Sequence, residues 1–435
     1  MALGGGGFTT ENKDLPGAYI NFVSAASASA VLSERGTATM PLELDWGVEG
    51  EVFEVTNEDF QKRSMRIFGY SADNEKMKGL FDLFMGASTL YAYRLNGGGK
   101  KAENAFATAL YGGIRGNDLK IVIQKNVDDE SLFDVMTYLG TVLVDSQTVA
   151  SAAALVANDY VKFKTSSTLA VTASTPLTGG TNGTADGASH QAYLDKIESY
   201  SYNTMGVVVT DDITKKLYAA FVKRLRDEMG IKFQLVLYRL AADYMGVISV
   251  ENKVTDADCS EASLVYWVTG AESGCAVNKS CQNKKYDGSF AVETAYTQNQ
   301  LKAAKKAGKF ILHKVNSDIR VLEDINTMVT TSDTCGAVFK DNQTIRVIDQ
   351  IGNDDAIMFN TKYLGEVPND GAGRISLWSD LKKIRGDLQT IRAIENFTDA
   401  DVTVSQGNTK KSVRVTSTIN VVNAMGQLYM TVVVA

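Results

Sequence analysis

The segment that most restricts how this chain folds is its last one. After Arg414 there are 21 residues without a charged side chain. Thr416, Ser417, Thr418, Asn420, Asn423 and Gln427 punctuate the run, and so many polar groups would be costly in hydrocarbon, which argues against a membrane span. The periodicity is two. Val413, Val415, Ser417, Ile419 and Val421 share one face of an expected strand, and Asn423-Ala424-Met425-Gly426 breaks it. Leu428, Met430, Val432 and Val434 then line one face of a second strand, with Tyr429, Thr431 and Val433 opposite. That second run is apolar on nearly both faces, as buried strands are. Left unpaired it would invite aggregation, so it belongs either to a sheet of its own domain or, by β-augmentation, to another chain. Periodicity alone leaves both open.

The whole chain, 435 residues with 44 Lys and Arg against 51 Asp and Glu, carries a formal net charge of −7. Its length suggests more than one domain. No block of Lys and Arg would neutralise a phosphate backbone or an anionic membrane, so neither nucleic acid nor a lipid surface is expected as a partner. MALGGGGFTTENKD has neither a basic n-region nor an apolar h-region, so no signal peptide is expected. Four scattered cysteines, Cys259, Cys275, Cys281 and Cys335, read as free thiols made in a reducing compartment.

The pattern predicts an α/β multidomain protein: a mixed α/β core sheet, an inserted β-rich domain, an α+β C-terminal domain and extended N- and C-terminal strand arms. An N-terminal arm covers 1–23, with the flexible Gly4–Gly7 and a strand at Tyr19, Ile20, Phe22 and Val23. The core domain comprises 24–102 and 185–337, the β insert 103–184, the C-terminal domain 338–412 and the terminal strand arm 413–435. In the core, strands are expected at Gly36–Leu42, Thr89–Leu95, Gly206–Thr210, Phe233–Tyr238, Gly246–Val250, Leu264–Val268 and Phe310–Val315. Helices are expected at Glu58–Met65 (capped by Asn57), Glu75–Met85 (capped by Asn74 or Ser71) and Val292–Lys306. Leu217, Phe221, Leu225 and Met229 recur every fourth residue, as on one helix face, with Lys223–Asp227 and Arg224–Glu228 spaced for surface ion pairs. A short helix is expected near Ser151–Asp159 in the insert. Further on, Thr344–Phe359 and the segment holding Leu381, Ile384, Leu388 and Ile391 read as helices.

Chemistry is sparse. The sequence has two histidines, His190 and His313, and no HExxH, P-loop or GxSxG motif. Gly112-Gly113-Ile114-Arg115-Gly116-Asn117-Asp118 lacks the Lys-Ser/Thr of a phosphate loop and precedes a strand, so it reads as a turn. Asp211 and Asp212 follow a strand, where catalytic groups sit in parallel sheets, but a helix cap explains them equally. The cysteine spacings fit no standard zinc motif. No catalytic, cofactor-binding or metal-binding residue is expected, and no cofactor.

Several stretches resemble the contractile tail sheath proteins of phages and R-type bacteriocins, most closely those of clostridial-type prophages. They are Leu15–Phe22, Arg35–Leu42 running into Asp45-Trp46-Gly47, Leu90–Gly98, Ala109–Leu119, Phe221–Asp227, Asp324–Val329, Ile345–Asp349 and Ala424–Val432, in that order along nearly the whole chain. The resemblance implies a structural, non-enzymatic subunit that forms six-fold stacked rings or a helix around an inner tail tube protein. It would extend from a baseplate to a tail terminator, and contract to drive the tube through a cell envelope. It implies assembly in the bacterial cytoplasm, and a place in a virion tail or tail-like particle released on lysis. It also implies an outward-facing insert, a tube-proximal C-terminal domain, and strand exchange between subunits by Tyr19, Ile20, Phe22, Val23 and Leu428, Tyr429, Met430, Val432, Val434. Lys382, Lys383 and Arg385 are the expected tube-facing edge. The alternatives are a sheath component of a related secretion or antifeeding apparatus and an α/β hydrolase-like enzyme.

Overall fold

The computed structural model describes residues 32–434. The expected N-terminal arm, with Gly4–Gly7, Tyr19, Ile20, Phe22 and Val23, lies outside them. The described chain forms two compact units, residues 34–349 with 422–434, and residues 32–33 with 350–421.

The larger unit begins with β1 (Thr37–Leu42), β2 (Val52–Thr56), α1 (Asn57–Phe68), α2 (Lys78–Phe84) and β3 (Thr89–Arg94). The β-rich insert follows as β4 (Lys101–Glu103), β5 (Ala107–Gly112), β6 (Leu119–Lys125), β7 (Phe133–Leu139), β8 (Val142–Val149), β9 (Val161–Phe163) and β10 (Thr172–Pro176). The chain then alternates α3 (Gly187–Ile197), β11 (Thr204–Gly206), α4 (Asp212–Arg224), β12 (Gln234–Tyr238), β13 (Val247–Val250), α5 (Leu264–Gly274), α6 (Gln298–Lys306) and β14 (Lys309–Phe310). A hairpin, β15 (Leu312–Val315) with β16 (Asp318–Val321), leads to α7 (Asn342–Met358).

Seven strands make the central sheet in the order β14-β13-β12-β11-β1-β3-β2. All pairs are parallel except β2 with β3 at one edge. Both faces are covered, as parallel sheets require, and the two-residue period of a strand sorts the side chains. Val236 and Tyr238 pack with Met40, Leu90 and Ile248 under α1, α2 and α5, while Leu235 and Leu237 pack with Met205, Tyr193 and Phe221 under α3 and α4. In the insert, β4-β5-β9 and β10-β6-β7-β8 form two antiparallel sheets around Leu119, Ile121, Ile123, Val135 and Leu139.

Helices α2 and α5 cross with their backbones in contact. A Cβ on Gly270 would lie 2.1 Å from the Leu83 carbonyl oxygen, and one on Gly274 would lie 2.0 Å from that of Gly86. This explains a misreading at Leu264–Val268, where a strand was expected and the structure has the start of α5. A five-residue apolar run carries no decisive period, and burial on all sides hides the helix stripe. The small residues Gly270 and Gly274 are the sign of the close crossing.

Other boundaries moved for local reasons. Thr56, not Asn57, caps α1: its hydroxyl accepts from the Asp59 N–H at 3.1 Å and Asp59 reaches back, a capping box. Thr297 and Gln300 form another, so α6 starts at Gln298 rather than Val292. Strand β11 ends at Gly206, because the chain leaves the sheet where Gly206–Thr210 was expected to run. The apolar run Phe310–Val315 divides between the central sheet and the β15–β16 hairpin. In the insert, the expected helix is one 3-10 turn, Ala152–Ala154. Met229 ends a π-helical turn, Leu225–Met229, that follows α4, and Arg224 pairs with Glu198 rather than Glu228.

Buried charges fix the joints of this unit. Arg226 reaches Asp349 through two hydrogen bonds of 2.6 and 2.7 Å, both residues being buried. Burial opposes the charge on Arg226, but Asp349 outweighs it and raises the guanidinium pKa. Arg346 bonds Glu272 at 2.6 Å and Asp324 at 3.2 Å. Arg94 donates to the carbonyls of Gly47 at 3.2 Å and Gly112 at 2.8 Å, tying the insert's first sheet to the loop after β1.

The smaller unit holds the end of α7, α8 (Gly371–Thr390), β17 (Ile394–Glu395), β18 (Val402–Gln406), β19 (Val413–Ser417) and β20 (Asn420–Val421). Leu377, Leu381, Ile384 and Leu388 form the buried stripe of α8. Trp378 donates its indole N–H to the Val402 carbonyl at 2.9 Å, seating the β18–β19 hairpin on the helix.

Two stability measurements test this packing. Gly270→Ala forces α2 and α5 apart and should cost about 1–3 kcal/mol by chemical denaturation, whereas Gly386→Ala, within α8 with nothing near its Cβ position, should gain about 0.5–1 kcal/mol. Equal effects would refute the backbone contact. Arg226→Met should cost about 3–5 kcal/mol, because Asp349 is then buried unpaired, and Arg226→Met with Asp349→Leu should recover most of it. A double mutant as unstable as the sum of the singles would show the pair is not coupled.

Candidate intersubunit strand and its anchorage

The C-terminal segment is anchored at one point of the larger unit. Gln343, buried in the first turn of α7, presents its side-chain amide as a neighbouring strand would present a peptide. Its Nε2 donates to the Val422 carbonyl at 3.1 Å, and its Oε1 accepts from the Ala424 N–H at 2.8 Å. Thr344 adds a hydroxyl contact of 3.3 Å to Asn423 Oδ1. Beyond Ala424 the character changes. Among the described residues, 425–434 join no sheet, and their apolar side chains face solvent: Leu428 is 84% exposed, Tyr429 87% and Val434 90%. Consecutive exposed apolar residues on both faces of an extended segment are rare on a finished surface. The main-chain N–H and C=O groups of an extended segment can complete a ladder with an added strand.

The smaller unit carries sheets of the complementary kind. β18–β19 and β17–β20 have two strands each, fewer than independent stability in water usually needs. Most of β19 is solvent-exposed, and β18 pairs along one side of it.

The expected tube-facing cations separate. Arg385 is buried and clamped by Asp355, one of its two contacts being 2.6 Å. Lys382 lies over the Trp378 ring, 4.9 Å from its centroid, and pairs with Asp399 at 2.7 Å, while Lys383 is exposed. Sequence spacing put all three on one helix, but the buried stripe of α8 takes in Arg385.

The residues weighed for catalysis have structural roles. Asp211 caps α4 by accepting from the Thr214 N–H at 2.8 Å. Those hydrogen bonds outweigh burial and hold its carboxyl below the usual range. His190 Nδ1 lies 2.7 Å from the Tyr218 hydroxyl in a buried pair, and burial lowers its pKa. His313 stands on the β15–β16 hairpin. Gly113 adopts φ 137°, and a Cβ there would lie 2.0 Å from the Asp45 carbonyl oxygen. The glycine-rich stretch is therefore a close joint between the insert and the loop after β1.

Four family models match successive parts of the chain. Residues 35–95 match the model of the tail sheath protein Gp18 domain III N-terminal region, and 87–182 that of the phage tail sheath protein beta-sandwich domain. Residues 183–327 match the phage tail sheath protein central domain, and 334–435 the phage tail sheath C-terminal domain. The sheath tail protein of Desulfitobacterium hafniense is 38% identical, with 90% of this chain and 93% of that one covered and a TM-score of 0.79. That of Listeria innocua is 33% identical, with 89% and 92% covered and a TM-score of 0.77. The phage-like element PBSX protein XkdK of Bacillus subtilis is 31% identical over 99% of both chains. The chain belongs to the phage tail sheath protein family.

Proposed function

We propose that residues 424–434 are an exchange strand that completes a two-stranded sheet in the smaller unit of a neighbouring copy. The chain is a structural, non-enzymatic subunit of a contractile tail sheath, part of a phage tail or tail-like particle, and what needs explaining is how the copies join. The observation that carries the reading is the anchored, unpaired, apolar segment after Ala424. A contact from the end of one copy to a different surface of the next is heterologous, and such contacts repeat into rings or helices. Tyr19, Ile20, Phe22 and Val23 would supply the other exchanged strand. Pairing through main-chain ladders joins copies while leaving each unit free to tilt, which a contracting assembly requires.

The inner partner is a tail tube protein, with a baseplate and a terminator at the ends. The smaller unit lies nearest the tube and the β insert faces outward. Lys382 and Lys383 would contribute to the tube-facing edge, a reading supported by their position outside the buried stripe of α8.

Removing residues 424–435 should leave a subunit with unchanged far-ultraviolet circular dichroism and cooperative unfolding. By electron microscopy it should form no tubular polymers with tube and baseplate. Polymers that still form and contract would overturn strand exchange. Reversing both charges, Lys382→Glu with Lys383→Glu, should weaken capture of isolated tube at least tenfold while the subunit's melting temperature moves little. Undiminished capture would remove the two lysines from the tube-facing edge.

A further inference from the structure

The end of α5 and the loops beside it bring together a buried set of donors. Glu272 is in the last turn of α5, Cys281 lies in the turn that follows, and Asp324 lies just after β16. All three are about 1% exposed, and one carboxylate oxygen from each acid and the Cys281 sulfur lie within 4.8 Å of one another. The side chain of Cys275 interacts with that of Cys281, and its backbone is pinned where Arg35 donates to the carbonyls of Cys275 at 2.9 Å and Glu272 at 3.1 Å.

The hydrogen bonds in the cluster leave one oxygen over. Asp324 Oδ1 accepts from Asn342 at 2.9 Å. Its Oδ2 accepts from the Cys281 N–H at 2.8 Å, Ser280 at 3.1 Å and Arg346 at 3.2 Å. Glu272 Oε2 accepts from Arg346 at 2.6 Å. Glu272 Oε1 is buried with no hydrogen-bond partner, an arrangement that is costly and rare in a finished interior.

We propose that Glu272, Cys281 and Asp324, with Cys275 as fourth donor, form a binding site for a zinc-like divalent cation. The donor set selects the ion. Thiolate sulfur disfavours magnesium and calcium, whereas mixed sulfur and oxygen donors in a four-coordinate shell suit zinc. Metal–ligand distances of about 2.0–2.3 Å require the donor atoms to close somewhat from their present separation. Arg346 stays in place on Glu272 Oε2, because the ion takes the free Oε1. The charges then balance: two carboxylates and two thiolates face one divalent ion, Arg346 and Arg35. Each coordinating thiol releases its proton to solvent on binding. Such an ion would clasp the end of α5 to the loop before α7 from inside the larger unit.

The test uses the full chain, reduced, stripped with a chelator and titrated with cobalt(II). One equivalent should bind, with thiolate-to-cobalt charge-transfer absorption and visible bands of a tetrahedral ion, and zinc should bleach both. Cys281→Ser and Glu272→Gln should each weaken binding at least tenfold, while Cys259→Ser and Cys335→Ser bind as the parent does. Cys275→Ser, at a less buried position than Cys281, guards against a folding defect: a folded variant should bind more weakly, with diminished charge-transfer intensity. Zinc should raise the melting temperature of the parent but not of the Glu272→Gln protein. No cobalt spectrum at tenfold excess over chain with all thiols reduced, or a spectrum unchanged in Cys275→Ser and Glu272→Gln, would overturn the site and leave the cluster as a structural ion network.

Discussion

The pairing of Arg226 with Asp349 is the contact on which the larger unit most depends. Taking either charge out of water costs several kcal/mol, and the pair recovers this only with close, two-point geometry. Distances of 2.6 and 2.7 Å supply that geometry. An apolar helix stripe can slip by a turn at modest cost, but a guanidinium fork fits one carboxylate in one position. Asp349 therefore sets where the first half of α7 lies against the turn after α4. Arg346, one helical turn earlier, repeats the constraint toward Glu272 and Asp324. Gln343, again one turn earlier, then holds Val422 and Ala424. Three side chains at successive turns of one helix thus transmit the register of the central sheet to the root of the C-terminal segment.

Under the proposed strand exchange, that transmission bears on assembly. A strand that leaves its own fold from a fixed point, in a fixed direction, loses less freedom on pairing than one on a long tether. Burying a Leu, Met or Val side chain from this segment is favourable by about 1.5–3 kcal/mol, and ordering each residue costs about 1–2 kcal/mol. The two are close enough that, in the proposed exchange, the balance would rest on the main-chain ladder and on pre-positioning at Ala424. In the proposed exchange, a contact of modest strength repeated in every copy would let a sheath hold together without freezing the orientation of its subunits.

Much of the fold was legible in the sequence, for reasons that can be named. Strands β1, β3, β12 and β13 are short apolar runs bounded by turns, and a buried parallel sheet makes such runs. The inserted β domain shows as a change of rhythm between Asn96 and Gly183. Helix α5 was not legible, because Leu264–Val268 is apolar all round and its deciding feature, the approach of Gly270 to Leu83, is long-range. Arg385 was misjudged for a related reason: charge suggests surface, and Asp355 is the partner that lets it be buried. The C-terminal segment was half legible: its alternation gave β19 at Val413–Ser417, whereas Leu428–Val434, expected as a second strand, joins no sheet among the described residues.

Several of the stretches that carry the family likeness meet at these joints. Arg94 in one of them meets Gly47 and Gly112 in two others. Phe221–Asp227 contributes Arg226, Ile345–Asp349 contributes Arg346 and Asp349, and Asp324–Val329 contributes Asp324. In an enzyme, distant segments meet because a substrate needs their side chains together. Here they meet because charges buried between segments require partners, and each partner lies on a different element of the fold. A search for catalytic motifs therefore finds isolated polar residues with local explanations, such as Asp211 at its cap and His190 against Tyr218. The specific chemistry of the described chain lies in contacts that fix the subunit's shape, and the proposed exchange would add the exposed apolar segment after Ala424 to them.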